Sequence, residues 1–320
     1  MAKATTLARA ALTVLLIAAI AGPTLAEDMK IKFAENDWTG QLIDVNLAKI
    51  ILNEHMGYQA ELVFADYTGE WPALARGDLD VAMEIWPSIS TASTEEWIDK
   101  KHKVEKIGDL GVTASAGWYV PTYVIKGDAA RGIAPMAPDL KSYKDLNKYA
   151  KLFSRPETGD AGFCLDSIPT WELHNEDRIK NLGVTLKNVY AGSEGALMAE
   201  IDAAYTAGAP LLLCNLWTPH WVHAKYDLTE IELPPYSDEC FASGRYDCDF
   251  ATDTLFNVAR VGFKAEHPRA YQFLKNMQLT ADQQQAIMLE VDVKKTPVEQ
   301  AVRNWMAANE SVWKLWIPAQ

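Results

Sequence analysis

The stretch LLLCNLWTPHW, residues 211–221, decides how the rest of the chain reads. Five of its first six residues are apolar, the mark of a strand buried on both faces. It ends in Trp217, followed by Thr218 and Pro219. The same shape occurs in VAMEIWP, residues 81–87, which ends in Trp86 and Pro87. Two buried strands that each deliver an indole where the strand leaves the core suggest a parallel sheet with functional residues at its carboxyl edge.

Working outward, MKIKFAEN (29–36) reads as a strand, Thr39 as the cap of a helix from about Gln41 to Met56, and AELVFA (60–65) as a second strand. EWPALARG is a short helix and VAMEIW a third strand. This β-α-β-α-β order demands parallel strands with helices on the faces. A second such unit follows: strand 118–125, helix 142–153, strand GFCLD (162–166), a helix from Pro169 to Leu182, strand LKNVY (186–190), a helix from Glu194 to Ala207, then LLLCNLW. An acidic irregular loop (234–253), a strand at 256–263 and three helices (267–278, 281–289 and 296 to about 316) complete the first unit rather than form a third. The expected fold is therefore α/β with two lobes, each a mostly parallel sheet flanked by helices. Lobe one is residues 27–115 plus 230–320, lobe two is 116–229, and the ligand cleft lies between them.

Residues 1–26 read as a secretory signal peptide: Lys3 and Arg9, an apolar run from Ala10 to Ala21, and small residues for cleavage near Ala26. The expected location is periplasmic, in an oxidising compartment. The chain carries a formal charge of −13, and an acidic surface repels nucleic-acid backbones. Of the four cysteines, Cys240 and Cys248 bracket a short loop and favour a local disulfide. Cys164 and Cys214 sit in strand-like runs, where buried thiols and a bridge are equally acceptable. His220 and His223 have metal-ligand spacing without a third ligand, so packing is the better reading. The acidic loops 157–160 and 247–253 have the oxygen chemistry for Ca²⁺ but are more commonly solvated. No nucleophile elbow, phosphate loop or dinucleotide fingerprint occurs, and neither a catalytic group, a cofactor nor a metal is expected.

Four tryptophans share one topological position. Trp38 follows the first strand, Trp86 the third, Trp171 the strand GFCLD, and Trp217 ends LLLCNLW. Trp71, Trp97, Trp305, Trp313 and Trp316 fall within helical stretches and belong to packing. Indole faces attract weakly hydrated cations, and a trimethylammonium group, which has no N–H to donate, suits aromatic walls.

Strand–Trp–Pro twice, with GSEGALMAEIDAAYTAGAP (192–210) ahead of LLLCNLWTPHW, resembles the periplasmic substrate-binding proteins of quaternary-amine ABC transporters. The resemblance spans essentially the whole mature chain. It implies a type II periplasmic-binding-protein fold that closes over a small quaternary amine, acts as a monomer, and hands its cargo to a permease and ATPase. It nominates Trp86 and Trp217 as cage residues, Trp38 through DWTG, Trp171 through IPTW, and Tyr119 as an aromatic residue at the seam between lobes. Two departures stand out: Gly40 occupies a place that is acidic in the choline pattern, and the segment around Trp171 lacks the glycines and cysteines of the betaine pattern. Glu84 completes the candidate site. Glu84 and Glu172 lie beside cage tryptophans and no arginine does, which favours trimethylamine N-oxide or choline over a carboxylate ligand. Two rival readings remain. One is a secreted carbohydrate hydrolase using Glu84 and Glu172 as its carboxylate pair, with sugars stacked on the tryptophans. The other is the same fold binding a different zwitterion.

Overall fold

A computed structural model describes residues 29–319. The signal-peptide reading falls outside these residues. Among them, no helix is long and apolar enough to cross a membrane.

The strands are β1 (Lys30–Glu35), β2 (Gln59–Phe64), β3 (Val81–Ile85), β4 (Val104–Pro121), β5 (Gly162–Asp166), β6 (Leu186–Tyr190), β7 (Leu212–Thr218), β8 (Leu228–Glu230) and β9 (Thr252–Arg260). They form one mixed open sheet in the order β2-β1-β3-β9-β4-β7-β5-β6, with β8 added to β4. Each half holds three parallel strands: β2, β1 and β3 on one side, β6, β5 and β7 on the other. The antiparallel strands β9 and β4 join them. Helices pack on the faces because crossover connections between parallel strands place them there. The core includes the faces of Thr39–His55, buried at Ile43, Leu47, Ile50 and Ile51, and of Glu194–Ala207, buried at Leu197 and Ile201.

The join is β4, eighteen residues long. Its first part pairs with β9 and its last part with β7 and β8, and Ser115 lies opposite both Thr252 and Thr218. The sequence reading began this strand only at Trp118 and carried it to Ile125. In fact it ends at Pro121 and a short helix, Thr122–Lys126, follows. The N-terminal part lacks the alternation that marks a strand, and its register slips between Asp109 and Thr113. Gly111 sits there at φ +93°, where an added Cβ would come within 2.7 Å of the Leu279 carbonyl oxygen.

Other elements also differ from expectation. Thr39 is the first residue of its helix rather than the cap; Trp38 is the extended residue before it. The helix expected from Pro169 to Leu182 is a 3₁₀ turn, Pro169–Trp171, and a separate helix, Asn175–Asn181. Glu172 and His174 between them adopt left-handed conformations that break the helical path. The strand expected at 256–263 begins earlier, at Thr252, and the last helix breaks at Asn309. Both cysteine pairs are bridged: Cys240–Cys248 closes the local loop, and Cys164–Cys214 ties β5 to β7 deep in the core. Trp71, Trp305, Trp313 and Trp316 are buried in packing, and Trp97 lies half-buried under Lys101.

Candidate functional site

Trp38, Trp86, Trp171 and Trp217 all line one cavity. Trp38, Trp86 and Trp171 follow the carboxyl ends of β1, β3 and β5, and Trp217 is the penultimate residue of β7. This is the edge at which open α/β sheets bind ligands. The rings meet edge to face. Trp38 and Trp171 have centroids 5.5 Å apart at 76°, and Trp171 and Trp217 are 5.3 Å apart at 85°. Tyr67 meets Trp38 in the same way at 5.5 Å. Mutually perpendicular rings build the walls of a box rather than a flat platform. The cavity is compact, about 40 Å³, room for a guest of a few heavy atoms.

Local folding explains why the rings stand where they do. Trp171 is turned into the cavity by its 3₁₀ turn, and its indole N–H donates to Asp37 Oδ1 at 3.4 Å. Trp217 is braced by His220, 4.7 Å away edge-on, while His223 Nε2 bonds the Trp217 carbonyl oxygen at 3.1 Å. Both histidines are thus committed to packing around the cage. Among the described residues no cluster of His, Cys, Asp and Glu is arranged to hold a metal ion. In the two acidic loops, Asp160 pairs with Lys151 and Asp247 with Arg245.

Glu84 does not line the cavity. It lies beneath it, 2 % exposed, where Oε1 accepts the indole N–H of Trp38 at 2.6 Å and that of Trp86 at 3.3 Å. Gln284 donates to Oε2 and to Asp44. Strand alternation fails here because β3 is irregular between Ala82 and Ile85 and Glu84 has φ +61°. It fixes the rings of Trp38 and Trp86, both of which line the cavity. Tyr119 also lies outside the lining: its ring packs against His223 at 5.3 Å and its hydroxyl faces Glu230. Glu172 is likewise absent from the lining, so no pair of Glu84 and Glu172 carboxylates flanks the cavity.

The sequence reading missed Tyr67, Ser88, Ile89, Leu173, Asn215 and Phe250, all lining residues, and above all Asp253. Arg178 is buried nearby, but its guanidinium covers the ring of Phe250 at 3.9 Å and donates to the carbonyls of Cys248 and Leu173. No lysine, arginine or histidine lines the cavity.

A hydrogen bond also joins the helices that follow β1 and β6, one from each half of the sheet. The Thr39 backbone N–H donates to Glu194 Oε2 at 2.7 Å, and the other oxygen of Glu194 bonds His220 Nε2 at 2.9 Å. The Thr39 hydroxyl donates to Asp292.

Burial raises several carboxyls: Glu70 to about 8, Glu84 to about 7, and Asp253 and Asp292 to about 6. Each binds its proton more tightly folded than unfolded, so its contribution is complete below the unfolded carboxyl range and lost as pH rises through the folded value. Between about pH 6.5 and 8.5, Glu70 and the Glu84–Asp44 pair, which burial and mutual repulsion keep protonated, dominate. The urea midpoint is expected to fall across that window, and a midpoint that holds or rises would show that these carboxyls are not the protonated groups of the native state.

The family described as substrate binding domain of ABC-type glycine betaine transport system matches residues 29–308. The trimethylamine N-oxide-binding protein of Pelagibacter ubique (strain HTCC1062) is 29% identical over 318 residues, covering 94% of this chain and 95% of that protein. The glycine betaine/carnitine transport binding protein GbuC of Listeria monocytogenes is 28% identical over 126 residues, 39% of this chain and 37% of its own. Among solved structures, lactococcal OpuAC closed on glycine betaine superposes with a TM-score of 0.69 at 19% identity, covering 90% of this chain and 99% of its own. An ABC-transporter choline binding protein with choline gives 0.71 at 18%, covering 90% and 91%. At these identities the structures speak for the fold alone.

Proposed function

Because the chain belongs to the substrate-binding domains of ABC-type glycine betaine transport systems, we propose that it captures a small trimethylammonium compound, namely trimethylamine N-oxide, glycine betaine or choline, in the cavity between its two halves and delivers it to the permease and ATPase of an importer. Proteins of this family are extracytoplasmic binding components, not enzymes. The two lobes are taken as residues 27–115 with 230–320, and 116–229, exchanging within β4 and at the end of β8. The signal peptide is cleaved near Ala26, the mature protein acts in the periplasm as a monomer, and Trp38, Trp86, Trp171 and Trp217 form the cage.

One observation carries this reading: four indoles from four strand ends wall a compact cavity that no basic side chain enters. Each ring contributes on the order of 0.5–2 kcal/mol to a desolvated cation. Burying three methyls adds roughly 2 kcal/mol at about 0.8 each. Together these approach the ~8 kcal/mol of micromolar binding. The 29% identical Pelagibacter relative supports trimethylamine N-oxide within this set. A sugar ring would want a parallel face and more room than the perpendicular rings leave. Calorimetric titration with trimethylamine N-oxide, glycine betaine, choline and carnitine, with glucose as control, tests the proposal. Micromolar binding of a methylated amine without glucose binding is expected; silence from every amine would overturn it.

A further inference from the structure

The cage accounts for the apolar walls of the cavity but leaves its carboxylate without a role. Asp253 lines the cavity, 5 % exposed. The sheet puts it there. Asp253 on β9 lies opposite Ala114 of β4, and Trp217 on β7 lies opposite Ala116, two residues along. Opposed residues of an antiparallel pair share a face, as do residues two apart on one strand. Asp253 and Trp217 therefore flank β4 on the same side. The segment after Trp86 holds the carboxylate: Ser88 Oγ donates to Oδ2 at 2.6 Å and the Ser88 backbone N–H to Oδ1 at 3.2 Å. Asn215 Oδ1, in the same lining, is 1 % exposed and without a partner, while Asn215 Nδ2 donates to Ser167. The polar side of the cavity thus holds a carboxyl group and an amide oxygen, and no lysine, arginine or histidine of the lining offsets the carboxyl.

We infer that Asp253 is a specificity-determining residue of this site: it rejects trimethylammonium ligands that carry a carboxylate and admits those whose polar end is an N-oxide or hydroxyl oxygen. The inference rests on the proposed capture of a trimethylammonium compound. With glycine betaine in the cage, two carboxylates would meet in a water-poor cavity with no positive partner, and like charges so placed cannot both stay ionised. An N-oxide oxygen needs a donor, and the Asp253 carboxyl supplies one when protonated. Burial makes that protonation easy, raising it to about 6. A hydroxyl needs an acceptor, and the carboxylate form supplies that. The N-oxide oxygen carries its negative charge one bond from the cationic nitrogen, whereas a betaine carboxylate carries a full charge set apart from its ammonium and meets Asp253 as a second carboxylate.

The test is the ratio of affinities for trimethylamine N-oxide and glycine betaine in wild type and in Asp253→Asn, with Asp253→Ser as a second variant should the first not fold. Wild type is expected to favour trimethylamine N-oxide at least tenfold. Asp253→Asn should raise glycine betaine affinity at least tenfold and erase most of that preference. Wild type that favours glycine betaine, or a ratio unmoved in a folded variant, overturns the role of Asp253 while leaving the receptor standing. A wild type that binds no methylated amine overturns the receptor and this inference with it.

Discussion

Replacing Trp86 and Trp217 together by alanine should weaken binding of the trimethylammonium ligand by roughly a hundredfold or more, each substitution alone costing at least about tenfold. The two will differ in what else they do. Trp86 is half-buried, and its loss removes a wall with little effect on the core. Trp217 is 5 % exposed and packs against Trp171 and His220, so its removal also leaves a void. A buried large-to-small change of that kind costs about 3–5 kcal/mol of stability. Calorimetry and urea unfolding on the same variants separate the two effects. Affinity unchanged in both single variants would remove the cage.

The second large effect concerns the core disulfide. Cys164 and Cys214 are 50 residues apart and fully buried, and closing a loop of that length restricts the unfolded chain by about 4 kcal/mol at 25 °C. The Cys240–Cys248 loop spans only 8 residues, worth about 2.5 kcal/mol by the same relation. The double variant Cys164→Ala/Cys214→Ala should therefore unfold at much lower urea than Cys240→Ala/Cys248→Ala. Equal midpoints would show that the long bridge merely decorates a core that packs without it. The long bridge also bears on the site, because Cys214 lies three residues before Trp217 on β7 and fixes that strand to β5, which precedes Trp171.

Most strands and the gathering of four tryptophans at one sheet edge were legible because the signal is local: an apolar run, then Trp, then in two cases Pro. What escaped was set by backbone geometry or by distant pairing. Glu84 reads as a cleft residue because it lies beside Trp86, and with a positive φ within that strand it sits underneath. Trp171 reads as the start of a helix, and left-handed Glu172 and His174 make it a turn. The first part of β4, with its glycines and charged residues, has no strand signature of its own; partners on β9 make it one. Asp253 is one acid among many in an acidic loop until pairing with Ala114 places it opposite the cage. Tyr119 was nominated by resemblance, and its neighbours His223 and Glu230 draw it away from the cavity.

The hydrogen bond from Thr39 to Glu194 has a consequence for cargo release. Breaking it strands neither partner. Glu194 keeps His220, and the Thr39 amide sits at the start of a helix, where solvent readily takes over a donor. A hydrogen bond exchanged for water in this way is worth only about 1.5–3 kcal/mol even to a charged acceptor. The clasp is thus cheap to undo. In the proposed function, this lets the guest tip the balance toward shut without making the shut state a trap, which a carrier that must surrender its load on every cycle requires.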